Sequence, residues 1–119
     1  MKVFNLTRNL SVSAYAARGD TFMTRLLGLI PRRFLAEEEG LWLEPCAMIH
    51  MFFMSFPIDA VFLDRDLKVL RVIRELGPWR VSPWVFGARG VLELPAGRCG
   101  GRVEEGDQLE FLDSPGSAV

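Results

Sequence analysis

The chain has 119 residues, half of them hydrophobic and 24% charged, and a formal net charge of −1. That is the size and composition of one globular domain, and it excludes a disordered chain. So even a balance also argues against nucleic acid as the main partner, because binding phosphates needs a clear basic excess or stripe.

A local cluster at Arg25, Arg32 and Arg33 reads as a solvated face. Ala14-Tyr15-Ala16-Ala17 imitates a signal-peptide cleavage site, but Asn5, Arg8 and Asn9 interrupt the apolar run that a signal would need. Pro57, Asp59 and His50 break the longest apolar stretch before it reaches transmembrane length. A cytoplasmic protein with no membrane partner is expected. Cys46 and Cys99 are too few and too far apart for a zinc module, so no metal site and no cofactor are expected. Both are expected to be free thiols.

In chain order, Lys2–Thr7 and Val12–Ala16 read as two strands of a hairpin around Arg8–Ser11. Asp20 and Thr21 offer N-cap oxygens to a short helix with Phe22, Met23, Leu26 and Leu27 on one face, closed by Gly28. At about two turns it is too short to stand alone and must dock on a sheet. Phe34–Glu39 allows a further helical turn, and Leu41–Leu43 a short strand. Met48–Met54 and Ile58–Leu63 read as two strands separated at Phe56-Pro57. The first is apolar on both faces and is expected to be covered on both sides. Leu67–Ile73 follows a turn at Asp64–Asp66, and a long irregular loop runs from Glu75 to Gly90. Loops of that length in small domains are often functional. Val91–Leu94 and Gln108–Leu112 complete the strands. Residues 1–113 therefore read as a single β-rich domain, with 114–119 a disordered tail.

The candidate site follows from one rule. A polar group inside an apolar run must be hydrogen-bonded, paired or used, since burying it bare costs several kcal/mol. The run Met48–Asp64 contains the single histidine, His50, and the carboxylate Asp59. His50 reads either as a core or pocket-wall imidazole or as a site residue. Asp59 reads as a structural acceptor of backbone N–H groups, as the partner of Arg25 on the docked helix, or as a site residue. Trp79 and Trp84 in the long loop read either as core aromatics or as contacts for a ligand or partner. A Cys-His-Asp nucleophilic site, using His50 with Cys46 or Cys99 and Asp59 as orienter, is the sharpest enzymatic alternative. Cys46 and His50 would stand about 13 Å apart on a regular strand, too far to hydrogen-bond.

The order and spacing of several motifs resemble the domain-of-unknown-function family 192, small bacterial and archaeal proteins. The motifs are Arg25-Leu26-Leu27-Gly28-Leu29, the pair Phe53-Met54, Pro57–Asp64, Val91–Gly97 and Gly106-Asp107. The resemblance implies a small antiparallel β-sandwich or barrel with one short helix packed across it. It brings no established activity. Many members read Trp-Met-Lys-Asn-Thr where this chain has Phe53-Met54-Ser55-Phe56-Pro57, so the role of that Lys-Asn pair does not carry over. Many also have glycine where this chain has Leu67.

The functional expectation is a non-enzymatic module for a small molecule or a protein segment, with no catalytic residues assigned. Its pocket would hold His50, Met54 and Asp59, rimmed by Trp79 and Trp84. The alternatives are a hydrolase-type enzyme, marked by a reactive cysteine or histidine, and an assembly protein, marked by an exposed apolar patch.

Overall fold

Lys2–Asn5 (β1) and Leu10–Ser13 (β2) form the expected hairpin, with Asn9 taking a φ of 56° in the turn. Asparagine tolerates that left-handed conformation better than most side chains. The computed structural model describes residues 1–19, 35–52 and 54–113. The expected helix at Thr21–Gly28, Arg25 on it, and the tail 114–119 lie outside those residues.

The strand expected over Val12–Ala16 is in fact two. The chain leaves the first sheet at Ala14, where the N–H groups of Ala14 and Tyr15 both donate to Glu38 O. Tyr15–Gly19 (β3) then joins a second sheet, pairing in parallel with Glu39–Leu43 (β4). This is a departure from a purely antiparallel fold. The helical turn expected at Phe34–Glu39 is reduced among the described residues to a turn closed by Glu39 N–H on Ala36 O, and β4 starts at Glu39.

Ile58–Leu63 (β5), Val69–Leu76 (β6), Gly90–Pro95 (β7) and Leu109–Leu112 (β8) complete the strands. The order is β2-β1-β8 in a three-stranded sheet and β3-β4-β7-β5-β6 in a five-stranded one. No helix occurs among the described residues, and the fold is mainly β.

Side-chain alternation along β5 and β7 divides the core in two. Val61, Leu63, Leu92 and Leu94 meet Val3, Val12 and Leu109 of the small sheet, with Trp42 and Cys99, so this cluster lies between the sheets. Ile58, Ala60, Phe62 and Val91 point the other way, toward Ile49, Met51, Met54, Phe56 and Val85. The large sheet is thus covered on both faces, which is why β5 is buried along its whole length and reads as a continuous apolar run.

The second cover is not a strand. Across Met48–Met54 the only bridge among the described residues joins His50 to Val81, antiparallel. Met54 N–H donates to Met51 O, turning the backbone away from an extended path. Several of the segment's backbone groups are met by the long loop: Met51 N–H donates to Arg80 O and Trp79 N–H to Met51 O, both at 2.7 Å. Ser82 N–H donates to Ile49 O at 2.9 Å, Ile49 N–H to Ser82 Oγ at 2.9 Å, and Val85 N–H to Ala47 O at 2.8 Å. The segment and the loop form one irregular ribbon. The loop is also shorter than the sequence suggests, because β6 runs on to Leu76.

Candidate functional site

Pairing His50 with Val81 puts residues of one parity on each side of the ribbon. Ile49, Met51 and Ser82 turn inward and are buried. Met48, His50 and Phe52 turn outward beside Trp79 and Val81. This outer face stays open: Met48 is 42% exposed, Phe52 39%, Trp79 58% and Val81 48%. His50 is exposed as well, so it is not a core imidazole. Its ring lies 4.8 Å from Phe52, and Phe52 lies 5.9 Å from Trp79, centroid to centroid, with both pairs tilted by about 30°. Trp84 and Phe86, further along the same loop, are exposed as well.

The structure therefore brings His50 and Trp79 together through Phe52 and places Trp84 on the same ribbon. It separates Met54 and Asp59 from them. Met54 is buried in the cluster beneath the ribbon. Asp59 is fully buried on the opposite face of β5. Its Oδ1 accepts the Glu75 N–H at 2.8 Å, and its Oδ2 accepts those of Gly97 at 3.1 Å and Cys99 at 2.9 Å. The carboxylate thus fastens the end of β6 and the turn after β7 to β5. A pair with Arg25 falls outside the described residues.

Cys99 is buried beside Asp59, and its thiol is pushed up to about 12, first by burial and then by the Asp59 carboxylate. At neutral pH it stays protonated and is no nucleophile. Cys46, on the other side of the large sheet, donates its Sγ hydrogen to Met48 O at 3.1 Å. Neither cysteine is in a disulfide.

One further carboxyl lies under the ribbon. Glu93 sits on central strand β7 between Leu41 of β4 and Ala60 of β5, on the face shared with Val91. It is 8% exposed, and among the described residues no hydrogen bond or ion pair reaches its carboxyl. Burial alone raises its pKa to about 7. Among the described residues no group of side chains could hold a metal ion.

Residues 5–111 match domain-of-unknown-function family 192, described as uncharacterized ACR. The chain belongs to that family. A UPF0127 protein of Pyrococcus horikoshii is 35% identical over 114 residues, covering 93% of this chain and 94% of its own. Another UPF0127 protein, from Pyrococcus furiosus, is 31% identical over 118 residues, covering 92% and 97%. Two solved structures share the fold at 24% identity, each over 92% of this chain. One is a protein of unknown function from Novosphingobium aromaticivorans, with a TM-score of 0.79 over 82% of that chain. The other is a putative transcription regulator from Sinorhizobium meliloti, with a TM-score of 0.72 over 89% of that chain. At that identity the likeness carries the fold alone.

Sequence reasoning missed Glu93 as a separate feature, although it lies inside a family motif, Val91–Gly97. The signal was available. Glu93 is a charged residue between Leu92 and Leu94 in an apolar strand, the pattern that singled out Asp59. The two differ in what surrounds them: Asp59 meets three backbone donors, whereas Glu93 faces Leu41 and Ala60.

Proposed function

We propose that this domain is a non-enzymatic binding module whose working surface is the outer face of the ribbon, and that it takes an apolar segment of another protein. The observation that carries the reading is the exposed row His50–Phe52–Trp79, flanked by Met48 and Val81. Aromatic and methionine side chains are enriched at protein interfaces, and tryptophan is prominent among the residues that dominate binding energy. The ribbon's inner face is anchored in the core by Ile49, Met51 and Val85, so the outer face is presented on a fixed base. A hydrolase site built from Cys99 and Asp59 draws less support, because both lie on the other side of the large sheet from His50. A cytoplasmic setting belongs to the same proposal and is supported by Cys99, a buried cysteine outside any disulfide. Among the described residues no helix is long and apolar enough to cross a membrane.

The test is selection of binders from a displayed peptide library, followed by titration of the selected peptide against Phe52→Ala and Trp79→Ala. Each substitution should weaken binding by at least roughly tenfold, as expected for interface anchors, with the fold intact by circular dichroism. Peptides that bind both variants as well as the parent would refute the surface. Concentration-dependent dimerisation abolished by the same substitutions would make the occupant a second copy of the chain.

A further inference from the structure

The end of the five-stranded sheet where β3, β4 and β5 finish and β7 begins carries a second, independent feature. The parallel pairing of β3 with β4 brings Arg18 beside Trp42 and Glu44. The turn after β5 adds Arg65 and Leu67, and the residue before Gly90 is Arg89, whose N–H is fixed on Leu63 O at 2.8 Å. Together with Phe111 of β8 they line a cleft of about 270 Å³.

Three arginines, Arg18, Arg65 and Arg89, line the cleft against one carboxylate, Glu44. Glu44 accepts a hydrogen bond from Arg89 Nε at 2.7 Å. Among the described residues Arg18 and Arg65 have no carboxylate partner, and Arg18 rests 5.8 Å from the Phe111 ring centroid. The floor is apolar: the Trp42 and Phe111 rings meet edge to face at 5.0 Å, and Leu67 lies beside them. Like-charged groups gathered on an apolar floor, in a chain whose overall charge is −1, leave a local net charge of +2.

We propose that this cleft binds a small phosphate monoester carrying a planar apolar group. Near neutral pH such a phosphate bears about −1.5 to −2 charges and three acceptor oxygens, which matches the charge left over in the cleft. A monocarboxylate would neutralise only half of it. Guanidinium forks suit phosphate oxygens bidentately, and the Phe111–Trp42–Leu67 floor suits a flat ring. The volume lies just below the usual range for ligand pockets of about 300–1,000 Å³, so the ligand is small.

The test is an NMR titration of the isotope-labelled protein with phenyl phosphate, inorganic phosphate and benzoate. Phenyl phosphate should give saturable shifts at the amides of Arg18, Leu67 and Arg89 and at the Trp42 indole, with weaker binding of the other two probes. Arg65→Ala should weaken phenyl phosphate roughly tenfold, the scale of one lost charge-assisted hydrogen bond, at unchanged Tm. Glu44→Gln should strengthen it. Phe52→Ala should leave the titration unaltered, which separates this site from the ribbon. Benzoate binding as tightly as phenyl phosphate would overturn the phosphate assignment, and inorganic phosphate doing so would overturn the planar group. Absence of any saturable response at millimolar probe, or an Arg65→Ala titration identical to the parent's, would overturn the site.

Discussion

Replacing Glu93 by glutamine should make the protein more stable at alkaline pH, not less. Burial raises the folded-state pKa of this carboxyl from 4.5 to about 7. Between those values the unfolded chain gives up the proton while the folded chain keeps it. The folded state binds more protons, so unfolding free energy falls as pH rises. Stability from this source is fully present below pH 4.5, is lost progressively up to about pH 7, and then levels off. At 1.36 kcal/mol per pH unit the whole effect is roughly 3 kcal/mol, of which about 2.5 kcal/mol falls between pH 5 and pH 8. Glutamine has nearly the same shape and no charge at any pH. Urea unfolding at pH 5 and pH 8 should therefore show a drop of that size in the parent, little drop in Glu93→Gln, and a more stable variant at pH 8. Asp107 does not confuse the window. Burial would raise its pKa, but hydrogen bonds from Asn5 and Arg8 and the Glu104 N–H outweigh that and hold it below the usual 3.8. Its contribution is lost only as pH falls below that value. Equal pH slopes in parent and variant would refute the reasoning, because the drop would then originate elsewhere.

Asp59→Ala strips the acceptor from three backbone N–H groups, those of Glu75, Gly97 and Cys99, and should cost at least about 3 kcal/mol in urea unfolding, with Asp59→Asn milder because it keeps one oxygen. Unchanged stability in Asp59→Asn together with lost binding would assign the carboxylate to a site instead. Gly90→Ala should be severely destabilising by thermal melt, since its methyl would lie 2.5 Å from Leu43 O and 2.6 Å from the Trp42 ring, and neither backbone nor a buried indole can yield. With a thiol reagent, the denatured protein should titrate two free thiols, while Cys99 in the folded protein should stay unmodified at pH 8 because it is buried and its pKa stands near 12.

The strands β5 and β7 were legible because a sheet covered on both faces demands unbroken apolar runs, and Ile58–Leu63 and Val91–Leu94 supply them. The hairpin of β1 and β2 was legible from its turn. The parallel partnership of β3 and β4 was not, since nothing local in Tyr15–Gly19 says which strand it will meet across nearly twenty residues of connection. Met48–Met54 misled for a different reason. Its period-two pattern is real, and Ile49 and Met51 are buried as the pattern demands. The expectation of cover fails on the other face, where Met48 and Phe52 stand in solvent. Apolar atoms make up much of any protein surface, so an apolar face alone does not specify burial. The sites followed the same division. Asp59 was found by the rule for polar groups in apolar runs, and Glu93 answers to the same rule. The arginine cleft had no sequence signature at all, because Arg18, Arg65 and Arg89 are scattered and only the sheet topology brings them to one end.

That topology also bears on a nucleophilic site built from Cys99, Asp59 and His50. A nucleophile, its base and the group that orients the base must be within hydrogen-bond reach of one another. Here Cys99 and Asp59 belong to the layer between the two sheets, and the cysteine's own N–H is committed to the carboxylate. His50 stands on the outer face of a ribbon whose inner face already packs on the opposite side of the large sheet. Bringing the three together would require the imidazole to pass through β5 and β7, the two most buried strands of the domain. Local opening at Cys99 would also break its N–H bond to Asp59 Oδ2, the oxygen that holds Gly97. Among the described residues the outer face of the ribbon and the basic cleft both stand open to solvent, and it is on these two surfaces that the binding proposals rest.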